Sequence, residues 1–160
     1  MGWIIRSAHQ GDCRNVLQGI RRLLAELRNV EEVTLPAESE QAYQYVIEHP
    51  GEGAVWIAEA SSLPDSIAGL ITVSIVNSIH VGGKYTLIQE LWVHPDFRSS
   101  GIGEQLIKRV EHYCEDNGTA NLEVCTPKKS FVNFAKTLSF YMNNGFEELG
   151  PRLKKRVELT

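Results

Sequence analysis

The residues best suited to chemistry lie between Leu91 and Gly103, in the run Leu-Trp-Val-His-Pro-Asp-Phe-Arg-Ser-Ser-Gly-Ile-Gly. A β-branched, apolar run from Leu87 to Val93 stops at His94-Pro95, where proline removes a backbone donor and closes a strand. After a short loop, Gly101 and Gly103 open a helix whose apolar positions Ile102, Leu106, Ile107, Val110, Tyr113 and Cys114 share one face. A strand, a glycine-bearing turn and a helix in that order gather unpaired N–H groups and the positive end of a helix dipole at one spot. Such a spot binds phosphate. The two glycines, lacking a Cβ, let a ligand come close to the backbone. No Gly-Lys-Ser/Thr follows, so this is not a nucleotide P-loop, and the glycine order is not that of a dinucleotide fingerprint.

The elements that must position this turn fit into one α/β domain spanning residues 1–160. That length holds a real core but not two comfortable ones. Hydrophobic residues make up 42%, an ordinary globular share. Lys plus Arg number 16 against 20 Asp plus Glu, a formal charge of −4, which argues against a general nucleic-acid binder. Cys13, Cys114 and Cys125 show no Cys-x-x-Cys spacing, and the five histidines show no ligand spacing, so neither a disulfide framework nor a metal is expected. No signal peptide opens the chain and no apolar run approaches the roughly 20 residues of a membrane span, which leads to the expectation of a cytoplasmic protein.

In chain order, Trp3 to Arg6 reads as a strand, and Gly11 to Arg28 as a helix with Val16, Leu17, Ile20, Leu23, Leu24 and Leu27 on one stripe. A loop from Asn29 to Pro36 leads into a helix from Ala37 to Glu48, ended by His49-Pro50-Gly51. Strands follow at Ala54 to Ala60, at Ile67 to Val76 with Gly69 inside as a bulge or close-approach point, and after Gly82-Gly83. The helix from Gly101 stops at Gly118, and Asn121 to Cys125 forms a fifth strand. Phe131 to Asn143 reads as a helix, and 146–149 and 153–159 as closing strands across Gly150-Pro151.

Arg98-Ser99-Ser100-Gly101-Ile102-Gly103 resembles the Arg/Gln-x-x-Gly-x-Gly/Ala signature of the GNAT superfamily of N-acetyltransferases, and the element order resembles the whole of that fold. The resemblance implies a mixed, mostly antiparallel sheet with helices on both faces, split between the fourth and fifth strands. Acetyl-coenzyme A would lie in the split. Its pyrophosphate would sit on the backbone N–H groups from Arg98 through Ser99, Ser100, Gly101, Ile102 and Gly103 to Glu104. The backbone of Leu91, Trp92 and Val93 would pair with the pantetheine arm like an added strand. An N–H near Leu91, in a bulged part of the strand, would polarise the thioester carbonyl. The ring of Trp92 reads equally as core.

Acyl transfer to an amine also needs a neutral amine and a proton for the departing thiolate. An amine of pKa ~10.4 carries a penalty of ~4–5 kcal/mol at neutral pH. A positioned base recovers ~10²–10⁴ in rate. Glu90, beside the scissile bond by the resemblance, is the carboxylate for this, directly or through water; a strand residue paired with a surface cation is the other reading. Phe140-Tyr141-Met142-Asn143-Asn144-Gly145-Phe146 resembles the family segment whose tyrosine protonates the coenzyme A sulfur, which assigns that role to Tyr141. Family members often place a coenzyme-binding asparagine where this chain has Phe134. Asn133 lies one residue earlier, and a helix start shifted by one would bring it to the coenzyme. Glu31 and Glu32 read either as surface acids or as an attraction for a cationic amine. The acceptor implied is a small-molecule amine; a protein amine, or a coenzyme A-binding sensor without turnover, remain the alternatives. Oligomeric state is left open, a homodimer being common in the family.

Overall fold

The computed structural model describes residues 2–159. It holds two compact units, Met1–Val124 and Cys125–Thr160. In the first, a sheet runs in the order β1 (Trp3–Ser7), β2 (Gly53–Ala60), β3 (Gly69–Ser78), β4 (Gly83–Val93) and β5 (Leu122–Val124). All neighbours are antiparallel except β4 and β5. Three helices complete this unit: α1 (Cys13–Arg28), α2 (Ser39–Glu48) and α3 (Ile102–Asn117).

Alternation along the strands explains why both faces are covered. Leu70 and Trp92 join Val16 of α1 and Tyr43 of α2 in one core cluster. The neighbouring Gly69 faces the other way, where a Cβ would meet Ile102 and Leu106 of α3 at 3.0 and 3.5 Å. Gly69 is thus a close-approach point at the start of β3. Gly19 does the same for α1: a Cβ there would lie 2.4 Å from Leu70 and 3.3 Å from Trp92. The helix lies nearly on the sheet because residue 19 has no side chain.

The start of α1 is fixed by charge. Asp12 is buried and accepts both guanidinium nitrogens of Arg6 at 2.8 Å and the backbone N–H of His9 at 2.8 Å. Arg6 also reaches Glu59 of β2. The helix ends at Asn29, left-handed at φ 53°, close to the predicted boundary.

Two features of β4 shape everything downstream. First, its pairing with β5 covers only Thr86 to Ile88, opposite Leu122 to Val124, and a hydrogen bond of 2.7 Å between the buried Thr86 and Thr119 hydroxyls lies at its root. From Gln89 to Val93, β4 has β3 on one side and no paired strand on the other among the described residues, which is the expected split. Second, Thr72 pairs with Glu90 but Val73 pairs with Ile88, so Gln89 is an extra residue in a β-bulge. The bulge shifts the parity of the strand. Glu90 and Trp92 face α1 and α2 on one side of it, and Leu87 faces the same way on the other.

In the second unit, α4 (Phe134–Asn143) begins three residues later than the predicted Phe131, because Phe131 to Asn133 form turns capped by Phe131 N–H to Lys128 C=O and Phe134 N–H to Phe131 C=O. The expected closing strands do not form. Leu149, Leu153, Val157 and Leu159 are 80, 91, 68 and 93% exposed, and no ladder includes 146–149 or 153–159 among the described residues. Alternating apolar residues specify a strand only when one face is buried against something.

Candidate active site

The turn after β4 is built from the sequence as read. Pro95–Phe97 form a short 3-10 turn capped by the His94 ring, and the buried Phe97 anchors it. Ser99 (φ 62°) and Gly101 (φ 94°) then take left-handed conformations on either side of Ser100, whose hydroxyl donates to the Phe97 carbonyl. Gly101 caps α3, and its would-be Cβ meets nothing nearer than Trp3 at 3.8 Å, so the space beside it is open. The first helical bond into this turn is Gln105 N–H to Gly101 C=O. Among the described residues, the N–H groups of Ser99, Ser100, Gly101, Ile102, Gly103 and Glu104 find no acceptor in the chain. Six donors in a row at the positive end of a helix are what a pyrophosphate needs. The Arg98 side chain points elsewhere: its guanidinium donates to the Val93 carbonyl at 3.0 Å and pairs with Glu26 of α1 at 2.6 Å. It clips the turn to strand and helix.

Glu90 lies on β4 at the bulge, eight positions before Arg98 of the turn. Its N–H donates to the Thr72 hydroxyl at 3.1 Å, and that hydroxyl donates to the Glu90 carboxylate. Burial pushes the carboxyl above the ordinary range, with the Thr72 hydrogen bond opposing in part. No cation pairs with it among the described residues. The surface-pair alternative therefore fails. A neutralising arginine would have made Glu90 an inert strut; its absence leaves a base with a raised affinity for protons.

Glu90 lines a cavity of about 380 Å³. Its walls are the apolar stripe of α1, the Leu35-Pro36 segment, one side of α2, and Thr72, Val73 and Ser74 of β3. Glu31 and Glu32 lie outside it. They line a wider, open groove of about 590 Å³ with Arg21, Arg22 and Glu26, where charges of both signs meet solvent. That groove is larger, but it contains no buried titratable group and none of the anion-binding donors.

The Trp92 ring is core, 3% exposed, with the Arg22 guanidinium 5.0 Å above it and its Nε1 without an acceptor. Leu91 and Val93 flank it on the unpaired edge. In the C-terminal unit, Tyr141 is buried on α4 between the rings of Phe140 and Phe146, at 5.3 and 5.4 Å, and burial raises its phenol well above the usual range. Asn133 is exposed and precedes the first residue of α4, with no capping bond from its side chain.

Sequence reasoning missed Thr72, Gln89 and the part of the cavity wall that α1 supplies. Thr72 had a signal: a hydroxyl in the middle of Leu70-Ile71-Thr72-Val73, an otherwise aliphatic strand. The bulge had none. Among the described residues no helix is long and apolar enough to cross a membrane, and no group of three or more His, Cys, Asp or Glu is placed to hold a metal.

Residues 19–146 match the model of the acetyltransferase (GNAT) family. The chain is 28% identical over 144 residues to the thialysine N-epsilon-acetyltransferase of Sus scrofa, covering 84% of this chain and 82% of the relative. Among solved structures, glucosamine-6-phosphate N-acetyltransferase from Arabidopsis thaliana superimposes with a TM-score of 0.75 at 16% identity, over 99% of this chain and 100% of that one. A predicted acetyltransferase from Clostridium acetobutylicum, solved with acetyl-CoA, superimposes with a TM-score of 0.79 at 14% identity, over 97% and 96%.

Proposed function

The chain belongs to the acetyltransferase (GNAT) family and is an acyltransferase, and on that premise we propose that it moves the acetyl group of acetyl-CoA onto a small-molecule primary amine by direct attack in a ternary complex. The observation that carries this reading is the composition of β4. One strand holds a half-buried carboxylate with no cationic partner at its bulge, has a free edge from Gln89 to Val93, and leads through a short turn into six N–H groups without an acceptor. Those donors, and the open space beside Gly101, fit a pyrophosphate; the backbone of Leu91, Trp92 and Val93 fits a pantetheine arm beside them.

Glu90 takes the proton that the amine must lose as its nitrogen bonds to the acetyl carbon. Its raised proton affinity brings it closer to the amine, which is what an efficient base requires. Tyr141, kept protonated at neutral pH by burial, gives its proton to the thiolate as the carbon–sulfur bond breaks. Asn133 remains a proposed coenzyme contact, made from just outside the helix. The free Cys13, Cys114 and Cys125 suit a reducing, cytoplasmic setting.

The test is coenzyme A release from acetyl-CoA across chemically diverse primary amines. Amine-dependent release above the hydrolysis background is expected. Tight acetyl-CoA binding with no amine-dependent release would replace this reading with a coenzyme A-binding module.

A further inference from the structure

Resting on the reading above, we infer that the acceptor is an amine with a compact, uncharged apolar body, and that the 380 Å³ cavity beside Glu90 selects it against amines that carry a carboxylate or phosphate. The argument starts from what the cavity contains. Val16, Leu17, Ile20 and Leu24 present one helical stripe of α1, while Ala42 and Val46 of α2 add further aliphatic wall.

The polar groups there are mostly committed. The Tyr43 hydroxyl donates to the His9 carbonyl at 2.7 Å, and the Thr72 hydroxyl is held by Glu90. The Gln89 amide reaches only its neighbour Ser74, at 3.4 Å. Glu90 is the one carboxylate among the lining residues, and no lysine, arginine or histidine joins it.

A cationic head and an apolar tail therefore both find partners. A second, anionic end finds no cation, only the Ser39 and Ser74 hydroxyls and the Gln89 amide, and burying it without a counter-charge is costly. The volume lies at the small end of the range for small-molecule sites, ~300–1,000 Å³, so the body must be short. Amine sites that accept sugar phosphates or amino acids need a cation to receive the anion, and this cavity has not been given one.

The chemistry can be isolated with three acceptors that share a primary amine: n-butylamine, n-hexylamine and 6-aminohexanoate. Each buried methylene is worth about fourfold in kcat/KM, ~0.8 kcal/mol, so n-hexylamine, with two more, should exceed n-butylamine by roughly fifteenfold. Putting a carboxylate in place of the terminal methyl of the same six-carbon chain should lower kcat/KM by ~10²-fold. In Leu24→Lys, which puts a cation into the wall, the 6-aminohexanoate penalty should shrink about tenfold while the advantage of n-hexylamine falls.

Equal kcat/KM values for n-hexylamine and 6-aminohexanoate in the unmutated protein, or no dependence on chain length, would overturn the inference while leaving acetyl transfer intact. If no amine is acetylated, the proposed function fails by itself. Calorimetric titration of the two alkylamines then decides the cavity: tighter binding of n-hexylamine sustains it, and equal or absent binding sinks it.

Discussion

Asp12 and Glu90 are carboxylates in the same unit, both withdrawn from water and both beside the ends or walls of α1, yet the chain treats them in opposite ways. Asp12 receives a bidentate arginine and a backbone N–H, and the Arg6 guanidinium holds its carboxyl below the ordinary range. Glu90 receives one hydroxyl and no cation, and burial drives its carboxyl upward. Compensated charge fastens structure; uncompensated charge is held ready for a proton. The two also pull stability in opposite directions with pH. Asp12, with a depressed folded value, stabilises the fold above the unfolded carboxylate pKa of ~3.9, and that contribution disappears as pH falls through the folded value. Glu90, with a raised folded value, binds more protons folded than unfolded, so stability falls as pH rises from its ordinary value of 4.5 through the raised one.

The contrast can be broken most directly at Glu90. Glu90→Gln should lower kcat by ~10²–10⁴-fold while the melting temperature at neutral pH stays level or rises, since a poorly solvated charge is removed. A loss of both rate and stability would make Glu90 structural. Tyr141 extends the same idea to a phenol that burial keeps protonated, beside the Phe140 and Phe146 rings. Tyr141→Phe should cost ~10²-fold in kcat, with acetyl-CoA affinity within about threefold, and equal kcat values would remove the hydroxyl from the reaction. Asp12→Asn is the reverse experiment. Denaturant unfolding should show about 2–3 kcal/mol lost, and kcat per folded molecule should hold.

Thr72→Val sharpens the comparison from the other side. It removes the bond that partly restrains Glu90, so the acidic limb of the kcat profile should move to higher pH, with roughly a fivefold loss at a pH on that limb. An unmoved limb would mean that Glu90 is not the group titrating. The smallest effect belongs to Arg98. Its pair with Glu26 is exposed at 42 and 36%, and such pairs contribute about 0–1 kcal/mol. Arg98→Gln should therefore weaken acetyl-CoA by less than about fivefold in a titration.

What was legible in the sequence follows from how local each feature is. The conformation of the turn after β4 was read almost residue by residue, because its glycines and helix start are local; of the expected donors, the Arg98 N–H is taken by the Pro95 carbonyl and those from Ser99 to Glu104 are left without an acceptor. Glu90 was legible through the resemblance alone; the bulge that turns it toward α1 depends on a register that pairs it with Thr72, eighteen residues earlier. The α1 side of the cavity was read only as an apolar stripe, since periodicity tells which face is buried but not against what. The closing strands at 146–149 and 153–159 failed for the same reason: pairing is a property of two segments, and the alternation lies in one.

Gly19 has a reach beyond packing. With any larger residue there, α1 must rise from Leu70 and Trp92 or those side chains must shift, and α1 is also a wall of the cavity. The clearance over Glu90 is thus written at a position that does not itself line the cavity. In evolutionary terms, a change at residue 19 alone can reshape that space while every residue lining it stays as inherited.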